Sequence, residues 1–563
     1  MKILHNHLGY EADARKTALI QASHALNVET FKLVDDATHA VVFEGPLLAQ
    51  GAVARWRDWL YWAADFSAWT QPGRYRLLVD SAVVPLVSDA FAIRAEIYDA
   101  QLTSDLVHYL KSQRCTGVFD IADQSRPKYG SDERVDVHGG WYDASGDASK
   151  YLSHLSYANV MNPQQTPQVV WNLIDGRARM PRQSVWFDEK MVDEALHGAD
   201  FLMRMLDPAG YFYMTVFDRW SKDVEQRDIC SYTTQQGHKF DTYQAGFRQG
   251  GGSAIAALAR AAGLPRDGER MRADYLAAAE RAFAHLQVHN RAYLDNGEEN
   301  LIDDYCALLA ACELYAATHS AIYLDAAEAR ARQMIARQTP AGWFWVDAAQ
   351  TRSYFHAAEA GLPYIAWMRF LEVAPQSAQA AEVKDALRRA LMHDTAVGEA
   401  GAGNPFGYPR HYIKQPEGEG RVQFFIPHDN ETGYWWQGEN ARLGSLASAA
   451  RMAASVFADE NVLAARLNAY ADDALHWLFG RNPFDACMMQ GQGHNNPRYE
   501  KGFWNAPGGV CNGITSGLDD EMDIDFRMPA DTVPGHSWRW SEQWIPHGAW
   551  LFHALAQRLR DGS

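Results

Sequence analysis

Two carboxylates lie four residues apart on a short glycine-rich segment that also carries two large aromatic side chains. The segment reads Gly139-Gly140-Trp141-Tyr142-Asp143-Ala144-Ser145-Gly146-Asp147. An ionised loop carboxylate can take a proton from water, and Trp141 and Tyr142 beside it could form an aromatic floor for a sugar ring. The alternative is structural, with Asp147 as a helix cap and Asp143 as a turn former, so a matching carboxylate elsewhere in the chain has to decide.

The residues after this segment predict how Asp147 is held. Apolar residues recur at intervals that indicate a helix over 149–159: Tyr151, Leu152, Leu155 and Ala158. Backbone N–H groups at the start of a helix favour a negative charge. Asp147 is therefore expected to be the ionised carboxylate of the pair.

A third carboxylate, Glu542, lies near the C-terminus in a tryptophan-rich segment. The segment reads Ser537-Trp538-Arg539-Trp540-Ser541-Glu542-Gln543-Trp544-Ile545-Pro546. Indole rings exclude water, which disfavours the charged form and raises the pKa of a carboxyl group, as a general acid requires. Pro546 fits the first turn of a final helix. Taken alone, Glu542 could be a surface residue before that helix. Together with Asp143 and Asp147, it is expected to form a hydrolase site in which the acid and the base face each other across a pocket.

Two further segments supply candidate sugar-binding residues, since aromatic faces stack on sugar rings and polar groups hold hydroxyls. The first lies before a predicted helix, and its candidates are His428, Glu431, Tyr434, Trp435, Trp436, Glu439 and Asn440. Glu439 could equally belong to the first helical turn, and Trp435 to the core. The second, over 480–498, is rich in Gly, Asn and Pro and is predicted to be a tightly folded loop. Its Arg498 could bond a sugar hydroxyl or brace the loop.

Composition narrows the possible functions of the chain. The 563 residues carry a net charge of −18, so a phosphate backbone would be repelled and no nucleic acid partner is expected. Six scattered cysteines without a Cys-x-x-Cys pair indicate reduced thiols. The acidic segment 519–525 lacks the glycine and distal glutamate of an EF-hand loop, and neither a metal nor a cofactor is expected.

No secretory signal or membrane-spanning stretch is visible, so we expect a cytoplasmic location and no membrane partner. The oligomeric state is left open.

The elements that must position these residues fall into two regions. Over 1–94, short β-branched and aromatic segments predict a small β-sandwich, with strands near Thr17–Gln21, Thr30–Val34, Ala40–Phe43, Arg74–Val79 and Ala90–Ile93. Over 95–563 about twelve helical patterns predict a mainly α domain, a closed barrel of six inner and six outer helices. The helices are expected near 96–114, 149–159, 188–206, 252–263, 269–287, 300–317, 321–337, 356–373, 379–393, 439–456, 461–479 and 546–559.

The chain resembles glycoside hydrolase family 9, whose members are inverting β-glycosidases with an (α/α)6 barrel, often preceded by an Ig-like module. Residues 139–143 resemble the family's loop for the nucleophilic water, residues 6–10 resemble the opening of the module, and residues 480–483 resemble another signature. The resemblance implies that Asp147 is the catalytic base, that Asp143 helps to hold the water and that Glu542 is the acid. It also makes Arg498 a candidate sugar ligand.

The chain departs from the usual family pattern in three places. Ser145 is inserted into the Asp-Ala-Gly-Asp loop, residues 494–498 replace Pro-His-His-Arg, and residues 543–546 replace the Asn-Glu-Val-Ala often found in cellulases. These departures resemble the branch that contains exo-acting β-glucosaminidases and β-glucosidases. The expected function is an exo-β-glycosidase for small β-1,4-linked oligosaccharides, with glucosamine ahead of glucose because acidic residues such as Asp429, Glu431 and Glu439 could offset an amine. An endo-β-1,4-glucanase and an inactive sugar-binding protein remain alternatives.

Overall fold

The computed structural model describes residues 1–80, 85–154, 158–181, 183–233, 236–432, 437–498, 505–527 and 536–558. Within them the helices are α1 (Ala100–Ser112), α2 (Gly117–Asp123), α3 (Thr166–Arg179), α4 (Val185–Arg204), α5 (Gly252–Ala261), α6 (Arg272–Tyr293), α7 (Leu301–Thr318), α8 (Ala321–Arg337), α9 (Leu362–Val373), α10 (Ala380–Val397), α11 (Asn440–Val456), α12 (Asn461–Leu478), α13 (Trp538–Ser541) and α14 (Ile545–Ala556). A 3₁₀ turn spans Val224–Gln226, and a π turn over Phe247–Gly251 leads into α5.

The strands of the N-terminal region are β1 (Lys2–Leu4), β2 (Gly9–Glu11), β3 (Thr17–Ala22), β4 (Thr30–Asp35), β5 (Val41–Ala52), β6 (Leu60–Asp65), β7 (Gly73–Val79), β8 (Leu86–Val87) and β9 (Phe91–Arg94). The remaining strands are short: β10 (Arg126–Pro127), β11 (Arg134–Val135), β12 (Lys150–Tyr151), β13 (Phe212–Tyr213), β14 (Thr215–Phe217), β15 (Asp228–Tyr232), β16 (Lys239–Phe240), β17 (Gln244–Ala245), β18 (His411–Ile413), β19 (Arg421–Gln423), β20 (Thr515–Ser516) and β21 (Ile524–Asp525).

The N-terminal strands form the predicted β-sandwich. The long strand β5 pairs with β4 through its first half and with β6 through its second half, so it belongs to both layers. One layer continues from β6 to β3 and β1, and the other from β4 to β7, β9 and β2. Apolar side chains from both layers meet in a common core that includes Ile20, Leu33 and Leu77. The Ig-like fold expected for the first region is therefore present.

Six helices close into a ring that forms the inner wall of the barrel. In order around the ring α3, α5, α7, α9, α11 and α14 each pack on the next, and α14 packs back on α3. The helices α1, α4, α6, α8, α10 and α12 pack outside them. This arrangement confirms the (α/α)6 barrel. Among the described helices, none has both the length and the apolarity that crossing a lipid bilayer requires.

One predicted helix is wrong and one inner helix was missed. Where a helix was expected over 149–159, the described residues form the strand β12, whose Lys150 and Tyr151 pair with Val216 and Thr215 of β14. Strand pairing and burial in the small sheet override the helical spacing of the apolar residues. The missed helix is α3, whose first eleven residues are all buried, including polar ones. Its buried Gln168, Asn172 and Asp175 interrupt the apolar spacing that marks a helix in the sequence.

The inner helices all begin at the same end of the barrel, because the loops leading into them contact one another. Gln164, before α3, donates its backbone N–H to the Glu359 carboxylate before α9 at 3.1 Å. Arg248, before α5, donates to the Asn159 side chain at 2.6 Å, and Asn300, before α7, donates to the Asn159 carbonyl. Gly438, before α11, donates to the Arg539 carbonyl, before α14, at 3.1 Å. Any site built on these loops therefore lies at this end.

Candidate active site

The glycine-rich segment 139–147 runs beside the segment that carries Glu542. Gly140 has a φ of +72°, and a Cβ there would lie 2.7 Å from the Phe201 ring, so glycine is required at this close approach. Lys150 is buried beneath the segment and donates to the Gly139 carbonyl at 2.9 Å. Arg227 donates to the Ala148 carbonyl at 2.9 Å. These buried cations fix the backbone on both sides of the aspartate pair.

The inserted residue Ser145 joins the two carboxylate-bearing segments. Its N–H donates to the Gln543 carbonyl at 2.8 Å, and its hydroxyl accepts the Gln543 N–H at 3.0 Å. Nearby, the Ile545 N–H donates to the Asp143 carbonyl at 3.1 Å. The loop with the two aspartates and the residues after Glu542 are thus hydrogen-bonded to each other in register. The insertion that departs from the family pattern is part of the site's frame.

Asp143 is buried against the start of α14. Its carboxylate accepts the Trp544 indole N–H at 2.8 Å, and His154 Nε2 lies 3.8 Å from its other oxygen. Burial, followed by the neighbouring charges of Asp147 and Glu542, raises the pKa of Asp143 well above its usual range. Two carboxyl groups this close cannot both ionise easily, so Asp143 is the one that holds the proton.

Asp147 is held by side chains and a turn, not by a helix start. Its carboxylate accepts the Ser149 N–H at 2.8 Å and the Tyr151 hydroxyl at 2.7 Å. Burial and the charge of Asp218 raise the pKa of Asp147 to about 6, while these hydrogen bonds lower it. The expected helix dipole is absent, and hydrogen bonding to the charged form replaces it. At neutral pH Asp147 is mostly ionised.

Glu542 lies in the extended turn between α13 and α14. Burial, followed by the charge of Asp147, raises the pKa of Glu542 to about 8, while a hydrogen bond from the Gly146 backbone and the charge of Lys222 lower it. The Gly146 contact brings the Glu542 carboxyl to the segment that carries Asp147. The structure therefore brings the three predicted carboxylates together, with Glu542 protonated and Asp147 ionised near pH 7. That combination can donate one proton and accept another.

Trp141 is a core residue, which corrects its prediction as a sugar-binding surface. Its side chain has no exposed area, and its indole N–H donates to Glu194 at 2.6 Å. Tyr142 is partly exposed and exchanges hydrogen bonds with the Thr116 backbone at 3.1 Å. Its ring lies edge-on to Phe119. Contact of Tyr142 with substrate remains a prediction.

Two candidates from the segment 428–440 are also structural. Glu439 is 1% exposed, and its carboxylate is bound by His411 at 2.8 Å, by the Ile426 N–H at 2.8 Å and by Arg442 at 3.4 Å. These contacts outweigh burial and lower the pKa of Glu439. Asn440 is buried beside it and donates to the Cys511 carbonyl at 2.7 Å. Neither side chain is available to a sugar, because each sits inside the start of α11.

The other candidates of that segment are less enclosed. Glu431 is exposed, but its carboxylate pairs with Arg352. His428 is partly exposed, and its ring Nε2 lies 2.7 Å from the Ser516 hydroxyl. The backbone N–H of His428 donates to the Glu521 carboxylate. Tyr434, Trp435 and Trp436 lie outside the described residues, and exposed Arg498 precedes another undescribed stretch. For these residues, substrate binding stays a prediction.

Several neighbours of the carboxylates were missed in the sequence. Their identities are Tyr151, His154, Asp218, Lys222 and Tyr232. Tyr151 was assigned to a helix, and the other contacts depend on the small sheet of β12, β14, β15 and β16, which no motif marked. The β-branched Ile229 and the aromatic Tyr232, which are strand-forming residue types, are a signal that could have indicated β15.

Two groups of described side chains have the composition of cation ligands. One is Asp143, Asp147 and His154, and the other is His7, Asp485 and His494 between the two domains. In the second group the two imidazole rings stack at 3.5 Å, and Nε2 of each ring lies near the Asp485 carboxylate. The expectation of no metal and no cofactor stays a prediction. All six cysteines are buried and free, which confirms reduced thiols.

Comparison with known proteins agrees with this geometry. The model of glycosyl hydrolase family 9 matches residues 96–502, and that of the cellulase N-terminal Ig-like domain matches residues 1–83. A xyloglucan-specific endo-β-1,4-glucanase of Bacteroides ovatus is 26% identical over 388 residues, 60% of each chain.

Solved structures share the whole architecture. A metagenome-derived family 9 endoglucanase superposes with a TM-score of 0.69 at 19% identity, covering 99% of this chain and 98% of that one. A thermostable endoglucanase from Alicyclobacillus acidocaldarius gives 0.64 at 20% identity, covering 99% of both. At such identities the likeness shows the fold. With its barrel matched over most of its length and its Ig-like domain matched as well, this chain belongs to glycosyl hydrolase family 9.

Proposed function

We propose that this glycoside hydrolase is an inverting exo-β-glycosidase. Its proposed substrates are short β-1,4-linked oligosaccharides, with glucosamine at the non-reducing end preferred over glucose. Family membership supports hydrolysis of a carbohydrate. The observation that carries the catalytic part is the pair Asp147 and Glu542, whose pKa values of about 6 and about 8 separate a base from an acid.

The proposed reaction is a single displacement. Glu542 donates its proton to the glycosidic oxygen as the bond to the anomeric carbon breaks. Asp147 takes a proton from a water molecule whose oxygen attacks that carbon from the opposite face. Asp143, itself protonated, can donate a hydrogen bond to the same water and keep it aligned. Inversion follows because water enters on the face opposite to the leaving group.

Inversion is tested by following the first turnovers by proton NMR. The product sugar should appear first as the α-anomer and then mutarotate. Appearance of the β-anomer would show retention and reject the direct attack by water. Asp147→Asn serves as the control, since it removes the base and should abolish product formation without unfolding the protein.

The glucosamine preference rests on the negative charge around the reacting position. Asp147 is ionised and the charge of Asp218 acts on it, whereas the protonated Asp143 adds none. Such negative charge can offset a protonated amine near a positively charged transition state. Glu431 and Glu439 cannot serve this purpose freely, because Arg352, His411 and Arg442 already pair with them.

Aryl glycosides isolate the sugar at the cleaved position, because the leaving group is the same. We expect a higher kcat/KM for 4-nitrophenyl β-glucosaminide than for 4-nitrophenyl β-glucoside. The reverse order would reject the glucosamine preference and leave a β-glucosidase. No hydrolysis of any β-glycoside would instead favour the inactive sugar-binding protein.

An endo-β-1,4-glucanase is the second candidate, since the names of the similar proteins describe endoglucanases. An endo-acting enzyme cuts chains internally and thins a solution of carboxymethylcellulose quickly. An exo-acting enzyme releases single sugars from a soluble oligosaccharide with little loss of viscosity. Measuring viscosity and released monosaccharide on the same samples separates the endo-acting from the exo-acting enzyme.

The proposed cytoplasmic location is tested by cell fractionation.

A further inference from the structure

The loop over 218–223, directly after β14, turns around one buried carboxylate. Arg219, Trp220 and Lys222 have φ values of +60°, +58° and +57°. Residues with a Cβ rarely adopt this left-handed conformation, which persists only where the surroundings impose it. Here the Asp218 carboxylate accepts the backbone N–H groups of Trp220 at 2.9 Å and Lys222 at 3.0 Å. The bent loop therefore keeps the Asp218 carboxylate in one place.

The same carboxylate reaches the catalytic base through one serine. Asp218 accepts the Ser149 hydroxyl at 3.0 Å, and the backbone N–H of Ser149 donates to one oxygen of Asp147 at 2.8 Å. The other oxygen of Asp147 accepts the Tyr151 hydroxyl at 2.7 Å. All four residues are buried. Because each oxygen of the Asp147 carboxylate has a donor, its orientation depends on where those two donors are held.

Arg227 holds the residue that follows Asp147. Its guanidinium donates to the Ala148 carbonyl at 2.9 Å and pairs with Asp123 at 2.7 Å and 2.8 Å. It lies 3.9 Å from Asp218, since Asp123 takes two of its nitrogens. The backbone after Asp147 is thus bound by a buried arginine, and the Ser149 side chain next to it is bound by Asp218.

We propose that Asp218 is a positioning residue for the catalytic base: through the Ser149 hydroxyl, it keeps the Asp147 carboxylate in the orientation that takes a proton from the attacking water. This inference rests on the proposed hydrolysis, because it takes Asp147 as the base. Without the Asp218–Ser149 hydrogen bond, substrate still binds, but proton transfer slows because the base is less well aligned.

Ser149→Ala tests the connection, since it removes the hydroxyl and keeps the backbone N–H. We expect kcat on an aryl β-glycoside to fall about tenfold with KM nearly unchanged. Ser231→Ala is the matched control, because Ser231 lies on β15 of the same small sheet and its buried hydroxyl contacts Thr242 at 2.8 Å. The control should keep kcat within about twofold of wild type. Equal kcat values for the two variants would overturn the positioning role.

Asp218→Asn removes the charge and keeps an oxygen for the Ser149 hydroxyl. Burial, followed by the charge of Asp218, raises the pKa of Asp147, so loss of the charge should lower it. The acidic limb of kcat/KM should then move to lower pH by about one unit. Asp228→Asn is the control, because Asp228 pairs with Lys239 at 2.6 Å and should leave that limb unchanged. An unmoved limb in Asp218→Asn, or one at higher pH, would contradict the inference.

The other titratable and charged groups around the base stay in place in Asp218→Asn. Those that face Asp147 or its neighbours are Asp143, Glu542, Tyr151, His154, Lys222 and Arg227. Carbon-13 NMR of labelled aspartate carboxyl groups follows the titration of Asp147 without turnover, and Asp147→Asn assigns the signal.

Failure of the proposed function and failure of this inference give different results. If the wild-type enzyme cleaves no glycoside, the proposed function fails, and an unchanged NMR titration of Asp147 in Asp218→Asn would still overturn the inference. If the wild-type enzyme is active but Ser149→Ala is equally active, only the positioning role fails.

Discussion

At the scale of single residues, the site works by giving three nearby carboxyl groups different proton affinities. The sequence predicted which carboxylates meet, and it predicted that exclusion of water raises the pKa of Glu542. It also predicted that a helix start keeps Asp147 ionised, which was wrong. The Ser149 N–H and the Tyr151 hydroxyl do this instead. Their contribution could not be predicted, because it depends on how the chain turns after Asp147.

The separated pKa values predict a bell-shaped dependence of kcat/KM on pH. Below about pH 6 Asp147 is protonated and cannot act as base, and above about pH 8 Glu542 is ionised and cannot act as acid. Tyr151→Phe removes a hydrogen bond that lowers the pKa of Asp147, so the acidic limb should move to higher pH. Initial rates with an aryl glycoside from pH 4 to 10 measure both limbs. A shift of the alkaline limb alone would contradict the assignment of Asp147.

The raised pKa of Glu542 also predicts an effect on stability. Because the folded protein favours the neutral carboxyl, wild-type stability falls as pH rises from the ordinary pKa of 4.5 to about 8 and stays low above it. Glu542→Gln is neutral at every pH. Its Tm should equal that of wild type near pH 4 and exceed it at pH 9. A variant that is less stable at both pH values would show that Glu542 supports the fold as an ion.

At the scale of elements, sequence patterns identified outer and inner helices alike, and the inner helices α5 and α7 were predicted within two residues. Outer helices such as α8 and α12 have a polar face and were predicted within a residue or two. The inner helix α3 buries Gln168, Asn172 and Asp175 and was missed, and the apolar residues around Tyr151 formed a strand instead of a helix. Those outcomes are decided by neighbours distant in the chain, which a local pattern cannot represent.

The connection made by Ser145 predicts a catalytic defect without unfolding. Ser145→Ala removes the acceptor of the Gln543 N–H and loosens the register between the two carboxylate-bearing segments. We expect kcat to fall about tenfold with KM nearly unchanged, since small misplacement of catalytic groups is costly. Ser145→Thr keeps a hydroxyl and should recover most of kcat. A loss of Tm in step with kcat would indicate a role in folding alone.

At the scale of the whole molecule, the β-sandwich and the barrel are joined by buried charge. Arg481 is buried between them, where it pairs with Asp473, donates to the Phe406 carbonyl at 2.9 Å and reaches Thr17 of the sandwich. Arg15 of the sandwich pairs with the same Asp473 at 2.7 Å. The sequence predicted a tightly folded loop from residue 480 onward but not the role of Arg481 at the junction.

Arg481→Met should therefore destabilise the protein and spare the chemistry. Removing one partner of a buried ion pair costs about 3 kcal/mol, and kcat at 25 °C should stay within twofold of wild type. Arg466→Met is the control, because Arg466 and Glu399 form an exposed pair that contributes little. Chemical unfolding of both variants measures the difference. Similar stability for the two would mean that the junction does not depend on Arg481.

The common end at which the six inner helices begin has a consequence for how such an enzyme can change. The buried side chains of each inner helix hold that helix in the barrel. The loop before it can therefore change in length or shape without disturbing the inner wall of the barrel. Ser145 lies in the loop leading to α3, and Arg219, Trp220 and Lys222, with φ values of +60°, +58° and +57°, lie in the loop leading to α5. The barrel can therefore stay the same in related enzymes while the loops differ. Substrate choice can then change through changes in the loops alone.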